Sequence, residues 1–541
     1  MRKLLIRAYI SPLDTFTTQD IIIRDRLGTN SGNMLYAFSV MRTLMTEDTQ
    51  IDIDNYYAER GFYTNEDVER INSEYEAYIL PLADAFRSDF RNQLKELTSF
   101  IRKLTIPVYL IGMGARLVNE DYEAEYDFDK EAQEFIKTVL DKTTIIGVRG
   151  KNTAGYFKRF GFVEDKDFTV IGCPSLFTYG KHLTQKPLEL KPDSIISVNY
   201  SDWTPLRTIR KVWNVIERYP NSLFVGQNDT ELESLYFGVD NPSFAAKRER
   251  EIKAAIKRGE STARFEVEEC YMDKWTNSIY QQDRMRFFTD VPSWLNYMKG
   301  IDLSFGARLH GNIVAILAGT PAFIIAKDGR IIELCEYHNL PSIRYDNVAK
   351  DATFESLIDG VDLQSHLKTH EEKFNHFIDF LDRNGIEHIY KEDRNRKDAP
   401  MDDILPPAAE PIRSFVSCTD EEKIARLQEQ YKLSSEYTHL VQASRHKFAE
   451  KSNSLDSELK NTRKILNDTR EELDMTKKEL NLGTENLVNM KKDLEKTRED
   501  LKNCKAKLAT TQEHVRKLEK IPSYRVYKGL KKVGKKLKKQ S

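Results

Sequence analysis

From residue 1 to about residue 390, short apolar runs alternate with longer amphipathic stretches. The runs Leu4–Ile10, Pro107–Ile111, Thr144–Val148, Phe168–Ile171, Ser194–Asn199, Ser222–Val225, Leu303–Phe305 and Ala322–Ile325 read as buried strands. Between them, Ser31–Thr43, Asp129–Asp141, Asn152–Phe160, Thr204–Arg218 and Asn312–Ala318 carry helical periodicity. Strands that alternate with helices imply βαβ units and a parallel sheet. The number of runs suits two Rossmann-like, doubly wound α/β domains, at 1–190 and 191–390. The break falls near Lys186–Asp193, where Pro187 and Pro192 interrupt a weakly periodic stretch. The charged stretch Asp229–Asp283 is an elaboration on the second domain, with a helix expected over 245–260; its role is not readable.

After residue 390 the pattern changes. Residues 391–420 are polar and proline-rich and are expected to form a linker. Over 421–520 a heptad seam takes over. Leu459, Leu466, Leu473, Leu480, Leu487, Leu494, Leu501 and Leu508 recur every seven residues, and a second seam follows three residues behind. A 3–4 spacing held this long predicts a coiled coil and, with it, a homo-oligomer. The second seam holds Thr462, Thr469, Thr476 and Gly483, which bury little apolar area. Residues 521–541 form a tail in which Val526, Tyr527, Leu530, Val533 and Leu537 gather on one side of a helical plot.

Charge sharpens this division. The chain has 541 residues and a formal charge of −2. The tail contributes Arg525 and seven lysines with no acid, or +8, so the rest carries −2 − 8 = −10. An acidic body argues against nucleic-acid binding, which needs broad basic surfaces. A basic amphipathic tail suits peripheral contact with an anionic membrane face. Five scattered cysteines without a CxxC pair fit a reducing compartment and offer no zinc signature. No run of about 18 apolar residues suggests a transmembrane helix. Arg7 interrupts the first apolar run, which therefore reads as a strand and not as a secretory leader. The expected location is cytoplasmic, with the tail at the inner membrane face.

The candidate chemistry lies where strands end. In Asp302–Pro341, a buried strand stops at Phe305, Gly306 permits a tight turn, and Arg308, Leu309, His310, Gly311 and Asn312 open an apolar helix. Ligands of open α/β sheets bind at the carboxyl ends of strands. A helix start there offers free N–H groups to an anion. Arg308 adds a planar fork for phosphate or carboxylate, and His310 a proton donor or acceptor near neutral pH. A second strand end, Ile145–Thr153, places Arg149 before Gly150 and another helix start. If the two domains face each other, Arg149 and Arg308 can grip one small anion from opposite sides.

These stretches carry a resemblance. Ser304–Gly311 with its RLHG block, Gly319-Thr-Pro321, Arg330–Leu334, Gly147-Val-Arg149 and Gly172-Cys-Pro174 resemble the polysaccharide pyruvyl transferase family. The resemblance runs from about residue 20 to 345. It implies two Rossmann-like domains arranged as in GT-B glycosyltransferases. It also implies transfer of a pyruvyl group from phosphoenolpyruvate to a sugar hydroxyl of a polysaccharide or lipid-linked precursor, without cofactor or metal. Arg149, Arg308 and His310 would meet the donor, with His310 as general acid, and Leu309 and Gly311 are further candidate substrate contacts. The family's early Asn–x–Gly–Asp block stands here as Asn30-Ser-Gly-Asn33, so the acid is missing on the acceptor side. Asn30 and Asn33 remain candidate substrate contacts. The glycine-rich turn stands as Ile111-Gly-Met-Gly114. Two other readings use the same residues: a GT-B glycosyltransferase with a nucleotide-sugar donor, and a non-catalytic scaffold built around the coiled coil.

Overall fold

The computed structural model describes residues 1–24, 27–28, 30–435, 462, 466, 469 and 491–519. Its first unit, Met1–Gln430, contains the strands β1 (Arg2–Ile6), β2 (Thr49–Ile53), β3 (Ala77–Pro81), β4 (Val108–Ile111), β5 (Ile146–Val148) and β6 (Phe168–Val170). They are followed by β7 (Ile196–Asn199), β8 (Leu223–Val225), β9 (Met285–Arg286), β10 (Leu303–Gly306), β11 (Ala322–Ala326) and β12 (Ser342–Arg344). Every ladder between these strands is parallel. The α/β expectation therefore stands. Parallel strands are covered on both faces, which is why most of them read as continuous apolar runs.

One sheet has the order β2-β1-β3-β4, and the pair β5-β6 continues it. The link is Met113, just past β4, which bridges Val148. The Met113 N–H donates to Gly147 O at 3.0 Å, and the Arg149 N–H to Met113 O at 2.8 Å. The second sheet has the order β12-β11-β10-β7-β8-β9. Winding direction reverses between β1 and β3 in the first sheet and between β7 and β10 in the second. Such switch points open a crevice beyond the strand ends.

Four strands escape the sequence pattern: β2, β3, β9 and β12. Three of them are sheet edges, short and half polar, so they lack the continuous apolar signature. The fourth, β3, is five buried residues in mid-sheet, too short for periodicity to mark it.

The helix Ser31–Leu44 is buried along nearly its whole length. A helix with apolar residues on every side belongs inside, and its few polar side chains must then find partners there. It packs against β3 of the first sheet and against the helix Leu309–Leu317 that follows β10. Its N-terminus is thereby delivered to the start of that second helix. Late in the chain, the helix Leu367–Arg383 returns to the first sheet. There the Asn384 amide accepts from Thr144 N and Ile145 N, both at 3.1 Å, and donates to Ile145 O at 3.0 Å.

Residues 391–420 do not behave as a free linker. Ala399 and Met401 are buried. Asp402 forms a bidentate pair with the fully buried Arg42 at 2.6 and 2.8 Å. Ile412 and Phe287 exchange backbone hydrogen bonds at 2.8 and 3.2 Å. Proline and charge describe a segment's local preferences; here long-range pairs with residues 42 and 287 decide its path.

In the second unit, Lys491–Glu519 is one helix of 29 residues. Most of the heptad seam and all of the tail 521–541 lie outside the described residues. Among the described residues, no helix is long and apolar enough to cross a membrane.

Candidate functional site

The site is built from the carboxyl ends of β10, its two neighbours and the facing loops of the first sheet. Gly306 closes β10 against Asn199, the last residue of β7. A side-chain carbon on Gly306 would collide with the Asn199 carbonyl. Asn199 Oδ1 then accepts the Arg308 N–H at 2.8 Å. Asn312, one helical turn on, donates to Arg308 O at 2.8 Å and accepts from Ser304 Oγ at 2.9 Å. These polar groups are buried and paired, so they hold the strand-to-helix turn in one geometry.

Arg308 is buried. Its Nη2 donates to Asn228 Oδ1 at 2.6 Å, while Nη1 lies 3.5 Å from Glu231 Oε1. Nη1 has no hydrogen-bond acceptor among the described residues. Burial lowers the Arg308 pKa and raises that of Glu231, and each is opposed by the other's charge. Asn228 and Gln227 follow β8, and their strand brings them beside β7.

Arg149, at the end of β5, is also buried. Its Nε donates to Gly112 O at 2.9 Å, and its guanidinium carbon lies 5.3 Å from the centre of the Tyr36 ring. Gly112 takes φ 71°, which lets its carbonyl turn toward Arg149. Arg149 Nη2 has no hydrogen-bond partner among the described residues. Each arginine thus presents a buried N–H group with no hydrogen-bond acceptor among the described residues, Arg308 Nη1 having only the ion pair with Glu231 at 3.5 Å. A buried donor of this kind costs about 1–3 kcal/mol unless something fills the role.

His310 lies between the two halves. Its ring is half-buried, with Nε2 3.9 Å from Cys173 Sγ. Its Nδ1 edge faces Gly32, where an added methyl would come within 2.5 Å of Nδ1 and 2.9 Å of Cγ. Burial, reinforced by Arg149, Arg308 and Arg330, pushes the His310 pKa down to about 3. The imidazole is therefore neutral at pH 7 without a bound anion. Gly32→Ala is expected to push this ring aside. The chain should fold, and catalysis should fall at least about tenfold, since ångström-scale misplacement is costly. A normal rate in the folded variant would show that His310 does not need its present place.

The other anticipated residues divide clearly. Leu309 and Gly311 form the first turn of the helix after β10, with Gly311 close against Gln227 and Asn199. Asn30 caps the Ser31–Leu44 helix, its Oδ1 accepting the Gly32 N–H at 2.8 Å, and Asn30 bridges Asn228 across the cleft. The Ser31 N–H donates to Gln227 O at 2.9 Å. Asn33 is engaged elsewhere: its amide donates to Gly28 O at 3.0 Å and pins its own loop.

Several residues gain roles that the sequence did not assign, Arg330 and Glu333 of the Arg330–Leu334 stretch among them. Glu333 reaches from the helix Gly329–His338 to the start of the Lys151–Arg159 helix. It accepts from Thr153 N at 3.0 Å and Thr153 Oγ at 2.9 Å. Burial pushes its pKa up to about 7, against the Thr153 hydrogen bonds and Arg149. Arg330 pairs with Asp84 at 2.5 Å and Asp328 at 2.9 Å, tying the second sheet's loops to the first. His338 Nε2 accepts the Cys173 N–H at 2.8 Å, which seats the Gly172-Cys-Pro174 turn. Lys327, at the end of β11, donates to Ser201 Oγ at 2.8 Å and Thr204 Oγ1 at 3.3 Å. Burial, aided by Arg308 and Arg330, brings its pKa down to about 7. A polar residue at or just past the end of a buried strand is the signal that would have found Asn199, Gln227 and Lys327.

The profile of the family described as Polysaccharide pyruvyl transferase matches residues 30–329, more than half of the chain. The chain belongs to the polysaccharide pyruvyl transferase family. This match spans Asn30, Arg149, Arg308 and His310, the residues that converge on the cleft. No curated protein matches the chain. Solved structures with similar folds include the S. aureus MnaA–UDP complex, at 11% identity and a TM-score of 0.36, covering 74% of this chain and 99% of that one. Acinetobacter baumannii MurG matches at 9% identity and a TM-score of 0.32, covering 70% and 95%. Anabaena Alr3699/HepE, in complex with UDP and glucose, matches at 11% and 0.35, covering 71% and 97%. At these TM-scores, the likenesses add nothing to the assignment of activity. Membership of a pyruvyl transferase family makes this chain a transferase with a polysaccharide as the acceptor class.

Proposed function

We propose that this pyruvyl transferase takes its pyruvyl group from phosphoenolpyruvate and delivers it to a sugar hydroxyl of a polysaccharide or lipid-linked glycan. The observation that carries this reading is the pair of buried guanidiniums, each with an N–H group that has no hydrogen-bond acceptor among the described residues. They come from different sheets, and both act electrostatically on His310. A donor with a carboxylate and a phosphate suits two such groups.

In the reaction, an acceptor oxygen bonds to C2 of the donor and C3 gains a proton. A second hydroxyl on the sugar then displaces phosphate from C2, closing the ketal. Of the two hydroxyl protons lost, one balances the new C3–H bond and the other leaves with phosphate. Arg149 and Arg308 hold the negative charge throughout, and His310 supplies the C3 proton. An uncharged imidazole cannot do this, so the donor's own charge must raise the His310 pKa.

The sign follows. With the site empty, His310 is neutral above about pH 3. The donor's anionic charge raises that pKa, so binding takes up a proton, and affinity falls as pH rises through the bound-state pKa. Calorimetry in buffers of different ionisation heat, between about pH 5 and 7, should record this uptake. It should vanish in His310→Asn, which leaves the donor's own phosphate titration as background. Equal uptake in both proteins would remove His310 from the acid role.

The direct test offers phosphoenolpyruvate with a panel of glycans and measures phosphate release. Stabilisation by UDP- or GDP-sugars and not by phosphoenolpyruvate would replace this reading with a nucleotide-sugar glycosyltransferase. We extend the proposal to assembly: self-association through the heptad seam, and tail contact with anionic lipid. Sedimentation of the full chain, alone and with anionic vesicles, tests both.

A further inference from the structure

The turn that follows β7 has an unusual division of exposure. In Ser201-Asp202-Trp203-Thr204, three residues are buried and Trp203 is 77% exposed. The turn is rigidly made. The Ser201 N–H donates to Thr204 Oγ1 at 3.0 Å, and the Thr204 N–H to Ser201 O at 2.9 Å. Lys327 clamps both hydroxyls from the end of β11. A single exposed apolar residue is ordinarily unremarkable. This one is held on a fixed turn at the carboxyl end of the strand beside β10, which carries Arg308.

Three further observations bear on its place at the edge of the sheet that carries the site. The sheet order sets β11, β10 and β7 side by side, so Lys327, Arg308 and the Trp203 turn share one edge. Asp202, next to Trp203, is within electrostatic reach of Arg250, Lys327, Arg308 and Lys247; burial raises its pKa against their pull. The Arg250 guanidinium lies 5.2 Å from the centre of the Trp203 ring. Arg250 belongs to the helix Pro242–Lys257, inside the charged elaboration of the second half.

We infer that Trp203, backed by Arg250, is the shelf on which the acceptor sugar ring lies. This rests on the transferase reading above and adds the acceptor subsite to it. A pyranose has an apolar C–H face and a polar rim. An exposed indole takes the face, as aromatic rings with one wet side do at recognition surfaces. Arg250 stacks its cation against the indole from behind and holds the ring in place for the sugar. The elaboration at residues 229–283 thereby gains a function: it carries the arginine that completes the shelf.

The chain carries four tryptophans. Trp213 and Trp294 are buried and Trp275 is 38% exposed. In a Trp275→Phe background, fluorescence change therefore reports mainly on Trp203. The probes are methyl glycosides of glucose, galactose and mannose, and their N-acetylamino counterparts. At least one should quench or shift the emission. Calorimetric affinity for that sugar should fall at least about tenfold in Trp203→Ala, equivalent to about 1.4 kcal/mol, and largely recover in Trp203→Phe. Thermal stabilisation by phosphoenolpyruvate should be the same in all variants, because Trp203 does not hold the donor. No emission change with any probe overturns the shelf, and so does sugar affinity unaltered in Trp203→Ala. If phosphoenolpyruvate fails to stabilise even the wild-type chain, the donor reading falls, while the sugar titration still decides the shelf.

Discussion

Arg308→Ala is expected to lower kcat/KM for phosphate release from phosphoenolpyruvate by at least about 10²–10³-fold, or about 3–4 kcal/mol. The size follows from where the guanidinium sits. It is buried, so its interaction with a bound anion is weakly screened. It is oriented by Asn228 at 2.6 Å and by the backbone clasp from Asn199 at 2.8 Å, so little ordering is left to do when the donor arrives. Lysine should not rescue it. A point charge on a flexible stem cannot hold Asn228 and an anion through one planar fork, so Arg308→Lys should still lose at least about tenfold. Removing the cation also leaves Glu231 buried without its counter-charge. That carboxylate already has a raised pKa and can take a proton, which limits the damage to folding. The checks are steady-state kinetics with far-ultraviolet circular dichroism on the same samples. Unchanged kcat/KM in folded Arg308→Ala would sink the donor assignment and favour a scaffold role for this chain.

Asp402→Ala is expected to destabilise the Met1–Gln430 unit by about 2–3 kcal/mol. Arg42 is fully buried in the Ser31–Leu44 helix. It donates to Thr178 O at 2.6 Å and Lys397 O at 2.8 Å, and Asp402 supplies its only ion pair among the described residues, at 2.6 Å. Deleting the carboxylate strands a charge in the interior, which costs more than the pair is worth in itself. The partial exposure of Asp402 and the two remaining carbonyl partners hold the loss below that of a fully enclosed pair. Urea unfolding of the full-length variant measures it. A shift under about 0.5 kcal/mol would mean that residues 391–420 contribute no stability and merely lie against the body.

The two effects bear on different levels of legibility. The strand-end places of Arg308 and Arg149 were readable because the signal is local: an apolar run, a glycine or turn, a cation, then a helix start. Strand ends of this kind carry ligands whatever surrounds them. Asp402 was not readable as a structural residue, because its partner is 360 positions away. Its neighbourhood of prolines and charges describes a linker, and only the buried Arg42 converts it into a strap. Asn33 adds a role that its motif did not announce. Its place in an Asn–x–Gly–Asn block suggested a substrate contact, and in the fold its amide closes the loop at Gly28.

By itself, the sequence determined the class of the fold, the strand ends that bear Arg149 and Arg308, and the family these residues belong to. Each of these depends on residues a few positions apart, where backbone periodicity and turn chemistry act directly. Tertiary structure alone decided which strand ends are neighbours. The order β12-β11-β10-β7-β8-β9 brings Lys327, Arg308, Trp203 and Asn228 onto one edge, although they are spread over more than a hundred positions. It also decided the protonation of His310. A histidine in sequence has an ordinary pKa; this one is neutral because packing buries it and sets three guanidiniums around it. Charge and proximity act through space, and the chain must fold before either has a value.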